Sequence, residues 1–299
     1  MTLSGTAARF LMCQPTHFAV KYVINPWMNP VTWARNERPL AAASRREWQA
    51  LRDTLEDLGA TIELMPPVSD VPDLVFTANA AVVLDRTALL ARFRHPERRA
   101  EEPHFQAAFR ALQSRGLVDA IHALPDGLVL EGAGDCVWDP ARSLFWMGYG
   151  PRTEAAAAEV VTEVFGAKVV PLELADPRFY HLDTALCPLS RGEVMYFPEA
   201  FTPSARAALR AQVAPAQRIE VRSDDACRLA ANAVAIGDAV VLSGCSEHLR
   251  SDLEARGYRV FATALSAFLR AGGSAFCLTL RLDGRSSAMR ESAKETIAA

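Results

Sequence analysis

A short cycle of elements recurs along the chain: an apolar run of strand length, an amphipathic run of helix length, and a glycine before the next strand. Gly59, Gly166 and Gly257 each end a helical run, and glycine there supplies the left-handed backbone that stops a helix. The cycle returns about every 50 to 60 residues, so about five ββαβ units fit into the chain. The pattern predicts an α/β protein made of repeated units rather than one long doubly wound sheet.

The individual elements follow from the length and periodicity of each run. Strands are predicted at 80–84, 128–139, 144–150, 167–174 and 233–243. Helices are predicted at 44–60, 102–116, 153–167, 203–213 and 246–257. No linker-like, low-complexity or single-charge stretch divides the chain, so we expect one domain over 1–283 and a polar tail over 284–299.

Composition limits the classes of partner. Half of the residues are hydrophobic and 22% are charged, which is enough for a large core. A net charge of −3 argues against nucleic acid and anionic membranes, because neither attracts a mildly acidic protein. No apolar run approaches the roughly 20 residues of a membrane-spanning helix, and the N-terminus lacks the apolar segment of a secretory signal. We therefore expect a cytoplasmic protein that acts on a small molecule.

The sequence predicts neither a metal nor another cofactor. Six cysteines are too few for a disulfide scaffold in a chain of this length, and none has the Cys-x-x-Cys spacing of a zinc site. The histidines without ligand spacing are His17, His95, His104, His122 and His248. The stretches EGAGD (131–135) and GYGPRT (148–153) do not match the glycine pattern of a dinucleotide site, which argues against nucleotide binding.

Polar side chains interrupt the ends of several apolar runs. They are Asp73 and Asn79 in PDLVFTAN, Glu131 and Asp135 in LEGAGD, His181 and Asp183 in YHLDT, and Cys277 in GGSAFC. Taken singly, each has a structural explanation, since lone histidines hydrogen-bond, single cysteines fill small apolar spaces and aspartates form turns. Their shared position at strand ends predicts that they converge on one cavity.

The order of these motifs resembles the guanidine-modifying superfamily, which includes amidinotransferases, arginine deiminase and dimethylarginine dimethylaminohydrolase. The resemblance covers about residues 10 to 282 and depends on Glu-Gly-x-Gly-Asp, His-x-Asp and Gly-Gly-x-x-x-Cys. It implies a pentein-type α/β propeller of about five ββαβ units around a central active-site cavity. It also implies that Cys277 is the nucleophile, that His181 is the acid–base residue, and that Glu131 orients His181.

The resemblance also implies a substrate site. The stretch 88–102, ALLARFRHPERRAEE, is similar to the dimethylargininase segment that holds the substrate α-carboxylate, which assigns that role to Arg98. GYGPRT assigns Arg152 to the same group. The other substrate-binding residues implied are Asp73, Asn79, Asp135 and Asp183. Two carboxylates, Asp73 and Asp183, suit a planar guanidinium, which donates pairs of N–H groups.

Two positions bear on the choice of substrate. Asp183 stands where dimethylargininases usually carry lysine, and a carboxylate there favours unmethylated arginine because N-methyl groups would leave its oxygens unpaired. Asn79 stands where a carboxylate is common. FTAN (76–79) and VKYVINPWMNP (20–30) are similar to bacterial arginine dihydrolases, which convert arginine to ornithine, ammonia and carbon dioxide. An amide both donates and accepts, so Asn79 suits a guanidinium and a ureido group in turn.

We therefore expect a cysteine-dependent hydrolase of the guanidino group of arginine, acting through an S-alkylthiouronium intermediate. Its product is ornithine if it is a dihydrolase and citrulline if it is a deiminase. The first alternative is dimethylarginine dimethylaminohydrolase; the others are an amidinotransferase and a non-catalytic arginine-binding module. The sequence is compatible with a homo-oligomer but does not fix the oligomeric state.

Two further segments have two interpretations each. The segment INPWMNP (24–30) is a non-helical loop that either closes over the cavity or anchors Trp27 in the core. Asn232 either lines the cavity or forms a turn.

Overall fold

The computed structural model describes residues 7–286 and confirms the α/β pattern. The strands are β1 (Arg9–Cys13), β2 (Thr61–Met65), β3 (Ala81–Leu84), β4 (Thr87–Leu90), β5 (Ala120–His122), β6 (Cys136–Asp139), β7 (Leu144–Tyr149), β8 (Lys168–Glu173), β9 (Leu186–Pro188), β10 (Val194–Tyr196), β11 (Arg218–Glu220), β12 (Val234–Ile236), β13 (Ala239–Leu242), β14 (Arg259–Ala262) and β15 (Leu280–Arg281). The helices are α1 (Pro30–Arg35), α2 (Glu37–Asp57), α3 (Pro96–Arg99), α4 (Glu102–Ser114), α5 (Ala157–Phe165), α6 (Pro203–Gln212), α7 (Ser223–Ala226), α8 (Glu247–Ala255) and α9 (Ser266–Leu269).

The described strands form five three-stranded sheets with one connectivity. In β3-β4-β5, β6-β7-β8, β9-β10-β11 and β12-β13-β14, two strands pair antiparallel and the third returns parallel to the second after a helix. The fifth sheet joins distant parts of the chain, because β15 pairs antiparallel with β1 and β1 pairs parallel with β2. Each sheet is therefore one ββαβ unit, as the sequence predicts.

The first strand of every unit lies on the inside of a ring. β3, β6, β9, β12 and β15 all contribute to the walls of one cavity of about 560 Å³. Its lining includes Val82, Val137, Cys187, Val234 and Leu280, one residue from each of these strands. Five sheets that share a cavity through equivalent strands are arranged around one axis, which is the predicted propeller.

The helices pack one apolar face against the sheets. In α2, the buried side chains include Trp48, Leu51 and Leu55, whose spacing of three and four residues puts them on one face of the helix. The predicted helix-ending glycines have positive φ values: Gly59 84°, Gly166 61° and Gly257 85°. Because L-residues rarely adopt this conformation, the predicted role of glycine at these ends is confirmed.

The predicted strand at 128–139 is wrong over most of its length. Only β6 is a strand within it, and Gly132–Gly134 form a 3₁₀ turn. Gly132 has a φ of 64°, which a regular strand does not contain. The apolar run therefore contains a turn, and this turn carries Glu131 and Asp135 at its two ends.

Each first strand is entered through a tight turn, closed by a hydrogen bond from the N–H of one residue to the carbonyl three positions earlier. These bonds are Asn79 to Phe76, Asp135 to Gly132, Ala185 to Leu182, Asn232 to Leu229 and Thr279 to Phe276. Most of the predicted site residues lie on or directly beside these turns, whereas Arg98 lies on α3 and Arg152 follows β7. The repeat thus brings polar side chains from distant parts of the sequence to the same end of the ring.

The remaining expectations concern membrane-spanning helices, metal ligands and the C-terminal tail. Within residues 7–286, no helix is both long enough and apolar enough to cross a membrane. The same residues contain no cluster of three or more potential metal ligands. The predicted polar tail lies outside the described residues from position 287 onward.

Candidate active site

A second, much smaller cavity lies among the entrance turns. Its lining includes Asp73, Asn79, Arg98, Arg152, His181 and Cys277. Glu131, Asp135 and Asp183 do not line it but contact residues that do or support them from behind. The fold thus gathers the predicted site residues around a volume of about 10 Å³, which is room for about one water molecule.

Glu131 connects an imidazole and a guanidinium. Its Oε2 atom lies 2.7 Å from His181 Nε2 and accepts a 3.0 Å hydrogen bond from Arg152 Nη1. Burial raises the pKa of Glu131, but the Arg152 charge and the His181 hydrogen bond outweigh it and hold that pKa below its ordinary value. Glu131 therefore stays ionised although it is fully buried.

The ionisation of Glu131 determines the tautomer of His181. Burial lowers the pKa of His181 to about 4 against the opposing influence of Glu131, so the imidazole is neutral at pH 7. Because a carboxylate only accepts, the single ring proton belongs to Nε2. Nδ1 then carries the lone pair, and His181 is arranged as a base.

Asp135 lies behind His181, and both of its carboxylate oxygens are occupied. Thr153 Oγ1 donates to Oδ2 at 2.7 Å, and the Leu182 N–H donates to Oδ1 at 3.0 Å. Thr153 Oγ1 in turn accepts the N–H of Glu131. The sequence predicts that Asp135 binds substrate, whereas this geometry makes it a brace between two entrance turns.

Cys277 is held between an amide and a carboxyl group. Asn232 Nδ2 lies 3.1 Å from Cys277 Sγ, and the thiol donates to Asp183 Oδ2 at 3.2 Å. Burial, with the adjacent Asp183, raises the pKa of the Cys277 thiol well above its ordinary value. The sulfur therefore stays protonated at neutral pH until a positive charge approaches it.

Two buried carboxyl groups have incomplete hydrogen bonding. Among the described residues, Asp73 Oδ1 and Asp183 Oδ1 have no hydrogen-bond partner. Burial raises the pKa of Asp183 to about 7, and it raises that of Asp73 as well. An unpaired buried acceptor costs about 1–3 kcal/mol, so both groups favour a ligand that brings N–H donors and positive charge.

The two predicted arginines are each balanced by a glutamate. Arg98 Nε and Nη2 both donate to Glu101 at 2.7 Å, and its Nη1 donates to Asn79 Oδ1 at 2.9 Å. Arg152 pairs with Glu131 and lies over the Tyr180 ring. Both arginines line the cavity, but each also organises the residues around it.

Asn79 is fixed by contacts at both ends of its amide. Its Oδ1 accepts from Arg98, and its Nδ2 donates to the Glu131 carbonyl at 3.0 Å, which leaves one Nδ2 hydrogen. A Cβ atom at Gly134 would lie 2.2 Å from this Nδ2. A Cβ atom at Gly132 would lie 2.8 Å from the Ala78 carbonyl oxygen. Asn79 and its turn therefore occupy the space that side chains at Gly132 and Gly134 would need.

The N-terminal segment 20–30 covers the cavity. Tyr22 Oη donates to Asp73 Oδ2 at 2.8 Å, and the Ile24 carbonyl accepts from Arg152 Nη2 at 2.9 Å. Trp27 Nε1 donates to the Arg178 carbonyl at 2.7 Å. Trp27 is half-buried and packs against one core cluster, while Ile24, Asn25 and Met28 of the same segment line the cavity.

The sequence missed several residues of the site. Glu101, Tyr22 and Thr153 each form a hydrogen bond with a buried predicted residue. Glu101 had a signal, since it follows Arg98 by three positions on a short helical turn. Tyr22 and Thr153 had none, because their partners are distant in the sequence.

The fold and the site together place the protein in the class that the motifs imply, the guanidine-modifying superfamily. A family model described as N,N dimethylarginine dimethylhydrolase, eukaryotic, matches residues 14–282. The N(G),N(G)-dimethylarginine dimethylaminohydrolase of Mycobacterium tuberculosis is 38% identical over 277 residues, which are 92% of this chain and 85% of that enzyme. The chain belongs to the dimethylarginine dimethylaminohydrolase family.

Bifunctional relatives are similar to the same degree. The bifunctional arginine dihydrolase/ornithine cyclodeaminase ArgZ of Synechocystis sp. is 40% identical over 275 residues, which are 92% of this chain and 37% of ArgZ. This chain therefore spans well under half the length of ArgZ.

Solved structures show the same fold. The N-terminal domain of ArgZ, a cyanobacterial arginine dihydrolase, bound to its substrate superposes with a TM-score of 0.87 at 38% identity, covering 93% of this chain and 99% of that domain. A dimethylarginine dimethylaminohydrolase adduct with 4-chloro-2-hydroxymethylpyridine has a TM-score of 0.72 at 19% identity, covering 92% of this chain and all of that one, and supports the fold alone.

Proposed function

We propose that this chain hydrolyses the guanidino group of free arginine in two rounds, giving ornithine, two molecules of ammonia and carbon dioxide. The observation that carries the proposal is the pair of buried carboxyl groups, Asp73 and Asp183, each with an oxygen lacking a partner within residues 7–286. A guanidinium supplies both missing elements, since it is a cation with planar N–H donors.

The first round begins when the cation enters beside Cys277. Positive charge near the sulfur favours the thiolate, and the thiol proton passes to His181. The thiolate attacks the guanidino carbon, His181 gives the proton to the departing nitrogen, and the carbon–nitrogen bond breaks to release ammonia. The S-alkylthiouronium that forms is attacked by water, from which His181 Nδ1 takes a proton. The carbon–sulfur bond breaks, and citrulline and the thiol are released. His181 suits this role because Glu131 fixes its tautomer and orientation.

The second round acts on the neutral ureido carbon of citrulline. The Cys277 thiolate attacks this carbon, the bond to the terminal nitrogen breaks, and the second ammonia leaves an S-carbamoyl group on the sulfur. A second water cleaves the carbon–sulfur bond and regenerates the thiol, and the resulting carbamate of ornithine loses carbon dioxide. Asn79 supports this round because its Oδ1 is held by Arg98 and its remaining Nδ2 hydrogen suits the ureido oxygen. A carboxylate at the same position would repel that oxygen.

The relatives support a cysteine and an asparagine in this chemistry. One ArgZ structure holds substrate in a variant with cysteine replaced by serine, and another holds a covalently bound reaction intermediate in a variant with asparagine replaced by serine. In the present chain, Cys277 and Asn79 lie on the same cavity. All six cysteines are free, which suits the cytoplasmic location that we propose.

Hydrolysis of methylated arginine is the second candidate, and the family model together with the Mycobacterium tuberculosis relative favours it. The chemistry is the same except that a methylamine leaves and citrulline is the product. Asp183 argues for arginine, because N-methyl groups cannot donate to its unpaired oxygen.

Product analysis tests the proposal. Purified protein is incubated in parallel with arginine and with N-methylated arginine, and ornithine, citrulline, ammonia and methylamines are quantified by mass spectrometry. We expect ornithine with two ammonia molecules per arginine consumed. Citrulline that accumulates without ornithine would remove the second round, and faster release of methylamines would favour the second candidate. Added glycine detects an amidinotransferase as a transfer product.

A further inference from the structure

Asn232 contacts Cys277 and the preceding residue, Phe276, through both its side-chain amide and its main-chain carbonyl. It is fully buried and lies on the entrance turn of β12. Its Oδ1 accepts the Cys277 N–H at 3.1 Å, and its main-chain carbonyl accepts the Phe276 N–H at 3.3 Å. Its Nδ2 lies 3.1 Å from both Cys277 Sγ and the Asp183 carbonyl oxygen.

These contacts fix the orientation of the Asn232 amide. The Cys277 N–H requires an acceptor, so Oδ1 must face the main chain of the nucleophile. Nδ2 consequently faces the sulfur, with one hydrogen directed to Sγ and the other to the Asp183 carbonyl. A flipped amide would put its oxygen against that carbonyl and against the sulfur, and it would leave two donors opposed.

The sulfur therefore lies between two groups with opposite effects on its ionisation. Asp183 is 3.2 Å away and disfavours an anion through its charge. The amide hydrogen of Asn232 favours the anion, because a hydrogen bond to the charged form is stronger than one to the neutral form.

We propose that Asn232 is a further catalytic residue, which fixes the backbone of Cys277 through Oδ1 and stabilises the attacking sulfur anion through Nδ2. This inference rests on the proposed role of Cys277 as nucleophile. A residue that only joins two units would need the Oδ1 and carbonyl contacts alone, so the donor to sulfur is the distinguishing feature.

Asn232→Asp separates these two functions. An aspartate keeps an acceptor for the Cys277 N–H but replaces the donor to sulfur with an oxygen. Asn232→Ala is a second variant, which adds no buried charge and removes both contacts. Thr279→Val is the matched control, because Thr279 is a buried residue of the turn that carries Cys277, and its hydroxyl donates to the Ala275 and Phe276 carbonyls.

The experiment measures alkylation of Cys277 against pH, with 2-chloroacetamidine as a cationic reagent and 2-chloroacetamide as its neutral counterpart. Mass spectrometry of the Cys277 peptide separates this thiol from the exposed Cys227. Thermal unfolding of each variant shows which ones are folded. We expect alkylation at pH 8 to slow by about tenfold or more in both Asn232 variants, with the midpoint moved to higher pH, and to stay unchanged in Thr279→Val.

A folded Asn232→Asp or Asn232→Ala protein with the wild-type pH profile would overturn the inference, even if arginine turnover fell. An equal shift in Thr279→Val would also overturn it, because loosening the turn would then be sufficient. Failure of the proposed function is distinguishable, since it would show as absent arginine turnover in a wild-type protein whose Cys277 still reacts.

Discussion

Glu131 and Asp183 are both buried acidic residues of one site, yet their surroundings differ in one respect. Glu131 has a cationic partner within the protein, since Arg152 lies 3.0 Å from its Oε2. Asp183 contacts a thiol, and its Oδ1 has no partner in the described chain. The pKa of Glu131 is accordingly held below its usual value, whereas burial raises that of Asp183 to about 7.

This difference suggests separate roles, with Glu131 orienting His181 and Asp183 binding the substrate. A carboxylate that is always paired fixes the position of His181 whether or not a substrate is bound. A carboxyl group that lacks a cation favours a ligand that brings one, and under the proposed function that ligand is the substrate guanidinium. We therefore expect changes at Glu131 to affect the rate of chemistry and changes at Asp183 to affect binding.

Removing the charge of Glu131 should have the largest effect. In Glu131→Gln, His181 loses the acceptor that fixes its tautomer, and Arg152 loses its partner. We expect kcat on arginine to fall by about 10⁴-fold with a much smaller change in KM, measured by steady-state kinetics. A raised KM with an unchanged kcat would show that Glu131 acts in substrate binding, which would contradict the distinction between Glu131 and Asp183.

Removing the charge of Asp183 should weaken binding. Asp183→Asn keeps the shape of the side chain but offers the guanidinium a neutral amide. We expect the affinity for arginine to fall by about 10²-fold, measured by calorimetry in a Cys277→Ser background that prevents turnover. Unchanged affinity would show that the unpaired oxygen of Asp183 does not face the substrate.

The pH dependence of arginine binding tests whether the ionisation of Asp183 controls the affinity. Arginine stays cationic throughout, so below pH 7 the substrate meets a neutral Asp183 and above pH 7 an ionised one. In Cys277→Ser, affinity should rise by up to about tenfold per pH unit below 7 and then level off. Asp183→Asn in the same background should remove most of this dependence; a slope that persists would place the titrating group elsewhere.

The smallest expected effect concerns Tyr22, which donates to Asp73 from the covering segment. Tyr22→Phe removes one hydrogen bond to a buried carboxyl group and leaves the ring in place. We expect KM for arginine to change by about tenfold or less while kcat stays close to the wild-type value. A large loss of kcat would mean that the segment contributes to the chemistry and not only to closure.

The repeat and the main elements of the site could be predicted from the sequence because their signals are local. Helix-ending glycines and alternating apolar runs indicate the units, and the polar motifs at the ends of apolar runs indicate the site. The sequence predicts a strand through the entrance turn at Gly132–Gly134, because apolar runs flank EGAGD on both sides. Local pattern carries no information about how an apolar run bends.

The missed and reassigned residues depend on contacts that only the folded chain brings together, some within one unit and some between units. Asp135 lies behind His181 because Thr153 and Leu182 hold its oxygens, and neither contact has a local signature. The unpaired oxygens that distinguish Asp183 and Asp73 are also properties of the assembled ring. The sequence could name these residues but not their electrostatic state.

The central claim is that the guanidino carbon of arginine is transferred to the sulfur of Cys277. The direct measurement is mass spectrometry of the Cys277 peptide after acid quench during turnover of arginine labelled at the guanidino carbon. We expect an adduct on Cys277 with the mass of arginine less one ammonia, retaining the label, and no turnover in Cys277→Ser. An unmodified Cys277 together with full turnover in Cys277→Ser would contradict it.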